Sequence, residues 1–450
     1  MALINSPVIP TNITVHLGKP NEAARNISVP FVEYIKSVAS NEIYPAWPTD
    51  AIKANVLAQI SFALNRYYNE WYRSQGYDFD ITNSPIYDQK FVEDGQFFDS
   101  IALIVDEIFN NYIVKEDQVQ PLFAQYCDGK TTTCNGLSQW GSVALAKQGK
   151  SPLEILKHYY GEDIQIIYNA PVAANIITYP GFPITLGSAN DLVRILKIQL
   201  NRISKNYPAI PSISDLNQYF TVEMENAVKK FQNIFNLDET GIVDKATWYR
   251  IKYIYNAVKK ISDIYSEGIT QEEAELLFGN AVGIGATGSA ATTTNYLLGV
   301  ITYFDPSIPV LNPSGTFDQN TEDSVKAFQQ KYNLPVTGTV DILTLKTLFD
   351  VYKQTLENIP EDFLVYRNEF FPGVYLSIGM TGEDVIRLQN FLLKICRDSH
   401  SIPGVKVNGI FDNLTEQSVK SLQQRFNLNT TGVVDPITWF NIVELSKEET

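Results

Sequence analysis

The residue best placed to do chemistry is a single carboxylate, Glu42. It ends the run FVEYIKSVASNE, in which Phe31, Ile35 and Val38 fall at 4-3-4 spacing with Glu42 on one helical face. Tyr44 and Trp47 follow directly, so the carboxyl closes an apolar stripe beside two aromatic rings and is poorly solvated. Burial disfavours the charged form and raises the pKa, which a general acid working near neutral pH requires. The competing reading is a helix-end glutamate paired with Lys53 or Arg66.

A second concentration of reactive types lies in AQYCDGKTTTCNGLSQWG, with Gln125, Tyr126, Lys130, Ser138, Gln139 and Trp140 in sixteen residues. Cys127 and Cys134 within it are close enough to form a disulfide, to share a metal, or to remain buried thiols. Structural zinc prefers four protein ligands. His16, His158 and His400 are dispersed, so no zinc-protease motif is present. GLSQWG is not the G-x-S-x-G of a nucleophile elbow and has no histidine beside it, which argues against a serine nucleophile.

The elements that must hold these groups can be read around them. NITVHLG and NISVPF alternate like a strand pair. The run from Val29 to Arg73 reads as two helices broken at Pro45 and Pro48. NGLSQWGSVALAKQG reads as a turn feeding a helix.

At 450 residues the chain predicts two to four domains, and its apolar fraction of 44% can fill their cores. A formal charge of −15 argues against nucleic acid, which needs a basic face. No run of about 18 apolar residues predicts a membrane span. MALINSPVIPTNITVHLG has no basic segment followed by an apolar one, so no secretory signal is expected from it.

The C-terminal half carries an internal repeat. Ungapped copies begin at Ala227 (AVKKFQNIFNLDETGIVDKATWYRI), Ser324 (SVKAFQQKYNLPVTGTVDILTLKTL) and Ser418 (SVKSLQQRFNLNTTGVVDPITWFNI). They share Gln232/Gln329/Gln423, Asn236/Asn333/Asn427, Gly241/Gly338/Gly432 and Asp244/Asp341/Asp435. Val419, Leu422, Gln423 and Phe426 mark an amphipathic helix, Gly432 suits a positive-φ turn, and Asp435 caps a second helix carrying Trp439. Gly187 to Leu200 and Gly379 to Ile395 supply a preceding helix for the first and third copies. Each unit is therefore expected to be a three-helix domain. The stretch GIGATGSAATTTN before the second copy reads as a loop or linker.

These units resemble the peptidoglycan-binding domain of cell-wall enzymes, with its G-x-x-G-x-x-V-x-x-L-Q opening and its F-Q-x-x-x-x-L-x-x-T-G-x-V-D-x-x-T-W core. The first unit departs from it at Asn190 and Lys197. Over roughly residues 12 to 168 the chain resembles the stage II sporulation protein D family. The matching blocks are YIKSVASNEIYPAWPTDAIKANVLAQISFALNR, PLFAQYCDGKT and GLSQWGSVALAKQGKSPLEILKHYYG. In more detail it is similar to the clostridial spore cortex-lytic enzymes.

The resemblance implies a multidomain chain, an α+β catalytic domain (1–175) followed by three small all-α modules. The modules are expected at 184–258, 296–352 and 372–446, with a linker over 259–295. It implies a lytic transglycosylase that cleaves MurNAc–GlcNAc bonds and leaves 1,6-anhydroMurNAc, with Glu42 as catalytic acid/base. Gln125, Tyr126, Lys130, Ser138, Gln139 and Trp140 would contact substrate, Trp140 either stacking on a sugar or, preferably, filling the core. His158 falls in LKHYYG and is expected to be packed there. No cofactor is expected, zinc on the cysteines being the one alternative. The partners would be glycan strands and stem peptides, at the spore cortex, coat or cell wall, with release by a phage-type route also compatible. A non-catalytic wall-binding scaffold and an amidase are the rival readings.

Overall fold

The computed structural model describes residues 7–173, 179–263, 266–269, 281–311, 315–398 and 402–448. Their N-terminal part is α+β and the rest is helical, as the sequence implied.

Strands β1 (Ile9–Pro10), β2 (Asn12–His16) and β3 (Asn26–Pro30) lead into helix α1 (Phe31–Glu42). The expected strand pair forms: β2 and β3 run antiparallel with Ile13 opposite Val29. Helix α1 buries Phe31, Ile35 and Val38, and Pro45 lies just beyond its end. Pro48 directly precedes α2 (Thr49–Tyr68), whose side chains are buried almost all round. Such a helix lies at the centre of a domain rather than on its surface. Its polar residues are placed by specific bonds. Asn55 donates to the Ser142 hydroxyl at 2.8 Å, Ser61 accepts the Ile113 N–H at 2.8 Å, and Asn65 donates to the Pro121 carbonyl at 2.9 Å. Arg66 pairs with the buried Asp88 at 2.9 Å and lies 4.7 Å from the Trp71 ring centre.

Around α2 stand β4 (Ile81–Thr82), which pairs parallel with β2, α3 (Asp99–Ile108), and β5 (Tyr112–Lys115). Then follow β6 (Tyr126–Cys127), β7 (Leu137–Ser138), α4 (Gln139–Lys147) and α5 (Pro152–Tyr160). Strand β8 (Ile164–Ile167) returns antiparallel to β5, and β9 (Val172–Ala173) pairs parallel with β1. One apolar core joins these elements.

The first helical unit comprises α6 (Asp191–Ser204), α7 (Val222–Ile234) and α8 (Lys245–Lys259). The second comprises α9 (Ser289–Phe304), α10 (Gln319–Lys331) and α11 (Ile342–Glu357). The third comprises α12 (Glu383–Asp398), α13 (Asn413–Arg425) and α14 (Pro436–Glu448). In each, Asp244, Asp341 or Asp435 caps the last helix by accepting the N–H three residues on. The asparagines at 236, 333 and 427 and the glycines at 241, 338 and 432 all take positive φ.

The shared glutamine explains itself. Gln423 Nε2 donates to the Val433 carbonyl at 2.8 Å and to the Thr431 and Thr438 hydroxyls, while its Oε1 accepts the Gly432 N–H. Gln232 and Gln329 repeat this clasp. Gln389 makes it again between α12 and α13. At the matching place in the first unit, Lys197 is wholly buried and donates to Asn217 at 2.9 Å.

The stretch expected to be a linker before the second copy is mostly part of that unit. Val282 bridges Val340 and Thr287 bridges Thr316, as Ile184–Val243 and Ala189–Tyr219 do in the first unit. Helix α9 then starts at Ser289 and buries Ala291, Thr294, Asn295 and Leu298. Asn295 donates to the Thr316 carbonyl and accepts from Thr321, so small polar residues supply a helix face that hydropathy does not mark. Residues 264–265 and 270–280 of the expected linker lie outside the described residues.

Candidate active site

Glu42 sits at the last turn of α1, partly buried, with three donors on its carboxylate. Oε1 accepts the Lys90 backbone N–H at 2.8 Å. Oε2 accepts Gln59 Nε2 at 2.9 Å and the Tyr126 hydroxyl at 2.6 Å. The cations that could have paired with it are engaged elsewhere, Lys53 with Glu107 and Arg66 with Asp88. Burial pushes the carboxyl above its ordinary pKa, and the bonds from Lys90, Tyr126 and Gln59 only partly oppose this. Tyr126 is itself pushed well up by burial and by Glu42, so it stays a donor.

A buried glutamine organises this network. Gln89 donates to the Tyr126 hydroxyl at 3.0 Å and to the Gln59 carbonyl at 3.1 Å, and accepts from Tyr34 at 3.0 Å. Asp88 holds its loop in place, accepting from Arg66, Tyr72 and Thr82. Sequence reading missed Gln59, Gln89, Asp88 and Tyr34. Asn55 and Gln59, polar and four apart inside the apolar run of α2, were a usable signal; Asp88 and Gln89 lie in a loop with no periodicity.

Two residues beyond Glu42 in the chain, an aromatic group begins. Tyr44 is 5.6 Å from Trp47 and 5.8 Å from Trp140, ring centre to ring centre, and the two tryptophans are 4.9 Å apart. Tyr44 is 56% exposed and both tryptophans are partly exposed. Trp140, for which the core was the expected place, thus sits in this surface group. Lys130 Nζ lies 3.3 Å from the centre of its ring.

The remaining residues singled out from the sequence are dispersed in role. Ser138 spends its hydroxyl as the α4 cap, accepting the Gly141 N–H at 3.0 Å. Gln139 is buried beneath it, and Gln125 is exposed while its carbonyl accepts from Tyr160. Gly136 packs against that same carbonyl, where a Cβ would come within 1.7 Å. Cys127 and Cys134 are joined in a disulfide, one of the three arrangements their spacing left open. The loop it closes is further fixed by Asp128, which accepts from Lys130, Thr131 and Thr132. These bonds hold Asp128, Thr131 first, below the usual carboxylate range. His158, expected to be packed, is exposed on α5, while His16 stacks on Phe79 at 4.5 Å. His400 lies outside the described residues.

In the helical half, two cavities of about 210 and 340 Å3 share Ala189, Asn190, Ile342, Leu345 and Tyr375, where the three units meet.

Residues 189–251, 299–348 and 381–439 match the family model described as "Putative peptidoglycan binding domain". No curated protein matches the chain. These three matches support a peptidoglycan-binding role for the helical units and association with the cell wall. No described helix is long and apolar enough to cross a membrane.

Proposed function

We propose that the protein is a peptidoglycan lytic transglycosylase with Glu42 as its one acid/base, held on its polymer by the three modules. The observation that carries this reading is a carboxyl whose pKa is raised by burial and whose partners are a phenol, an amide and a backbone N–H. Ordinary glycosidases use a second carboxylate on the far side of the scissile bond. A lytic transglycosylase needs only one carboxyl because the nucleophile is the sugar's own C6 hydroxyl.

In this mechanism protonated Glu42 gives its proton to the departing glycosidic oxygen as the C1–O bond breaks. The carboxylate then takes the C6 hydroxyl proton as that oxygen closes on C1 and forms the 1,6-anhydro ring. Oε1, with a single donor on it, retains the lone pair that carries the proton. Tyr126 and Gln59 fix the other oxygen and stabilise the carboxylate between the two transfers. Tyr44, Trp47 and Trp140 offer apolar faces suited to the C–H faces of sugar rings, with Lys130 beside them. Ser138 and Gln139 open α4, the helix that carries Trp140, and the exposed Gln125 side chain would hydrogen-bond glycan. The resemblance to spore cortex-lytic enzymes supports cortex peptidoglycan, with its stem peptides, as the target.

The test is digestion of purified spore cortex and of vegetative wall by the protein and its Glu42→Gln variant, with products identified by mass spectrometry. Anhydro-muropeptides that disappear in the variant are expected. Wall binding with no released sugar would instead make the protein a scaffold, and free stem peptides would make it an amidase.

A further inference from the structure

Two residues that are neighbours in the chain address opposite oxygens of Glu42. The Lys90 N–H donates to Oε1 directly, at 2.8 Å. Gln89, wholly buried, reaches Oε2 through Tyr126: its Nε2 donates to the Tyr126 hydroxyl at 3.0 Å, and that hydroxyl donates to Oε2 at 2.6 Å.

The direction of this chain is forced by a group that cannot change its own. A backbone carbonyl only accepts, and the Gln59 carbonyl lies 3.1 Å from Gln89 Nε2. Turning the Gln89 amide over would set two carbonyl oxygens against each other. At its other end the Tyr34 hydroxyl donates to Oε1 at 3.0 Å and holds the same sense. Faced by an NH2 group, the Tyr126 oxygen must accept from Gln89, so its single proton goes to Glu42. Burial and then Glu42 push the Tyr126 phenol well up, whereas Gln89 pulls it down and so makes it the better donor. Gln59 supplies no such constraint. Its Nε2 donates to Glu42 Oε2 at 2.9 Å, but its Oε1 is buried with no hydrogen-bond partner among the described residues.

Building on the proposed role of Glu42 as acid/base, we infer that Gln89 is a positioning residue. Through Tyr126 it keeps Oε2 an acceptor and so confines the acid proton of Glu42 to Oε1. An oxygen that accepts from Tyr126 and Gln59 in the acid form as well as in the carboxylate needs no rearrangement when the proton leaves or returns. Preorganisation of this kind removes a cost from each transfer. Without Gln89 the Tyr126 hydroxyl is free to turn and accept a proton carried on Oε2, which stabilises the acid form. It is also a weaker donor to the carboxylate. Both effects raise the Glu42 pKa.

The test is NMR titration of the full chain with labelled glutamate, the Glu42 signal being identified by its loss in Glu42→Gln. Gln89→Met keeps the bulk, removes the amide, and should raise the Glu42 midpoint by about a few tenths of a unit or more. Added to Tyr126→Phe it should move the midpoint no further, because its effect passes through the hydroxyl. Circular dichroism checks folding. If Gln89→Met does not fold, Tyr34→Phe, which frees one end of the Gln89 amide, should raise the midpoint and again do nothing beside Tyr126→Phe. The proposal is overturned if the folded variant titrates as the native protein does, as a residue that merely fills space would. It is equally overturned if the shift is the same with and without the Tyr126 hydroxyl. The titration needs no substrate, so the two readings fail separately. Anhydro-muropeptides released without this coupling would sink the role of Gln89 alone, and the coupling without released sugar would sink the transglycosylase alone.

Discussion

At Glu42 burial and hydrogen bonding pull one carboxyl in opposite directions, and burial wins. The native state therefore binds a proton more tightly than the unfolded chain. Stability should fall as pH rises from the ordinary carboxylate range through the raised value, and Glu42→Gln should remove that slope. Urea unfolding of both proteins across pH 4 to 7 measures it. Activity should fall over the same window, because the acid form starts the reaction. Tyr126→Phe takes one donor from the carboxylate and should move the midpoint to higher pH, readable by NMR titration of labelled glutamate. The carboxyl itself was legible because a 4-3-4 stripe ends on it. Its partners were not, since Gln89 and the Lys90 N–H arrive on a loop placed by the buried Asp88.

At the scale of elements, the disulfide and the glutamine clasp do similar work in different halves. The bridge closes the short loop between Tyr126 and Ser138 that carries Lys130. Replacing both cysteines by serine should cost about 2 kcal/mol, measured by denaturant unfolding. In the third module, Gln423→Ala would leave the Gly432 N–H without its side-chain partner and take the shorter of two donors from the Val433 carbonyl. A loss of about 2–3 kcal/mol is expected, read as a lower unfolding midpoint. The clasp was visible as an invariant Gln–Gly–Asp spacing in three copies. The opening of the second module was hidden, because α9 packs Thr294 where its counterparts pack Leu196 and Leu388, and the fit of Asn295, which stands where they carry Lys197 and Gln389, depends on partners far along the chain.

Across the whole molecule, the modules are not beads. The second and third share one apolar core, into which Tyr219 of the first also packs. Phe371, between the two, is wholly buried; its N–H donates to the Tyr296 hydroxyl at 3.1 Å and its carbonyl accepts from Tyr352 at 2.8 Å. Phe371→Ala should cost about 3–5 kcal/mol, and calorimetry should show both modules melting together in one transition. A repeat pattern predicts units; it carries no sign of a core that crosses them, because the joining residues lie outside the repeat.

The first module is seated on the N-terminal domain in the same way. Asn256 donates to the Asn69 carbonyl at 2.7 Å, Asn65 to the Ile261 carbonyl at 3.3 Å, and Lys252 meets Glu70. A catalyst on a loose string would reach any bond within the string's radius. One bolted to its footing works at a single stride from where it stands. Under the proposed chemistry, the molecule must let go and step before each new cut, and the lengths of the fragments it leaves would record that stride.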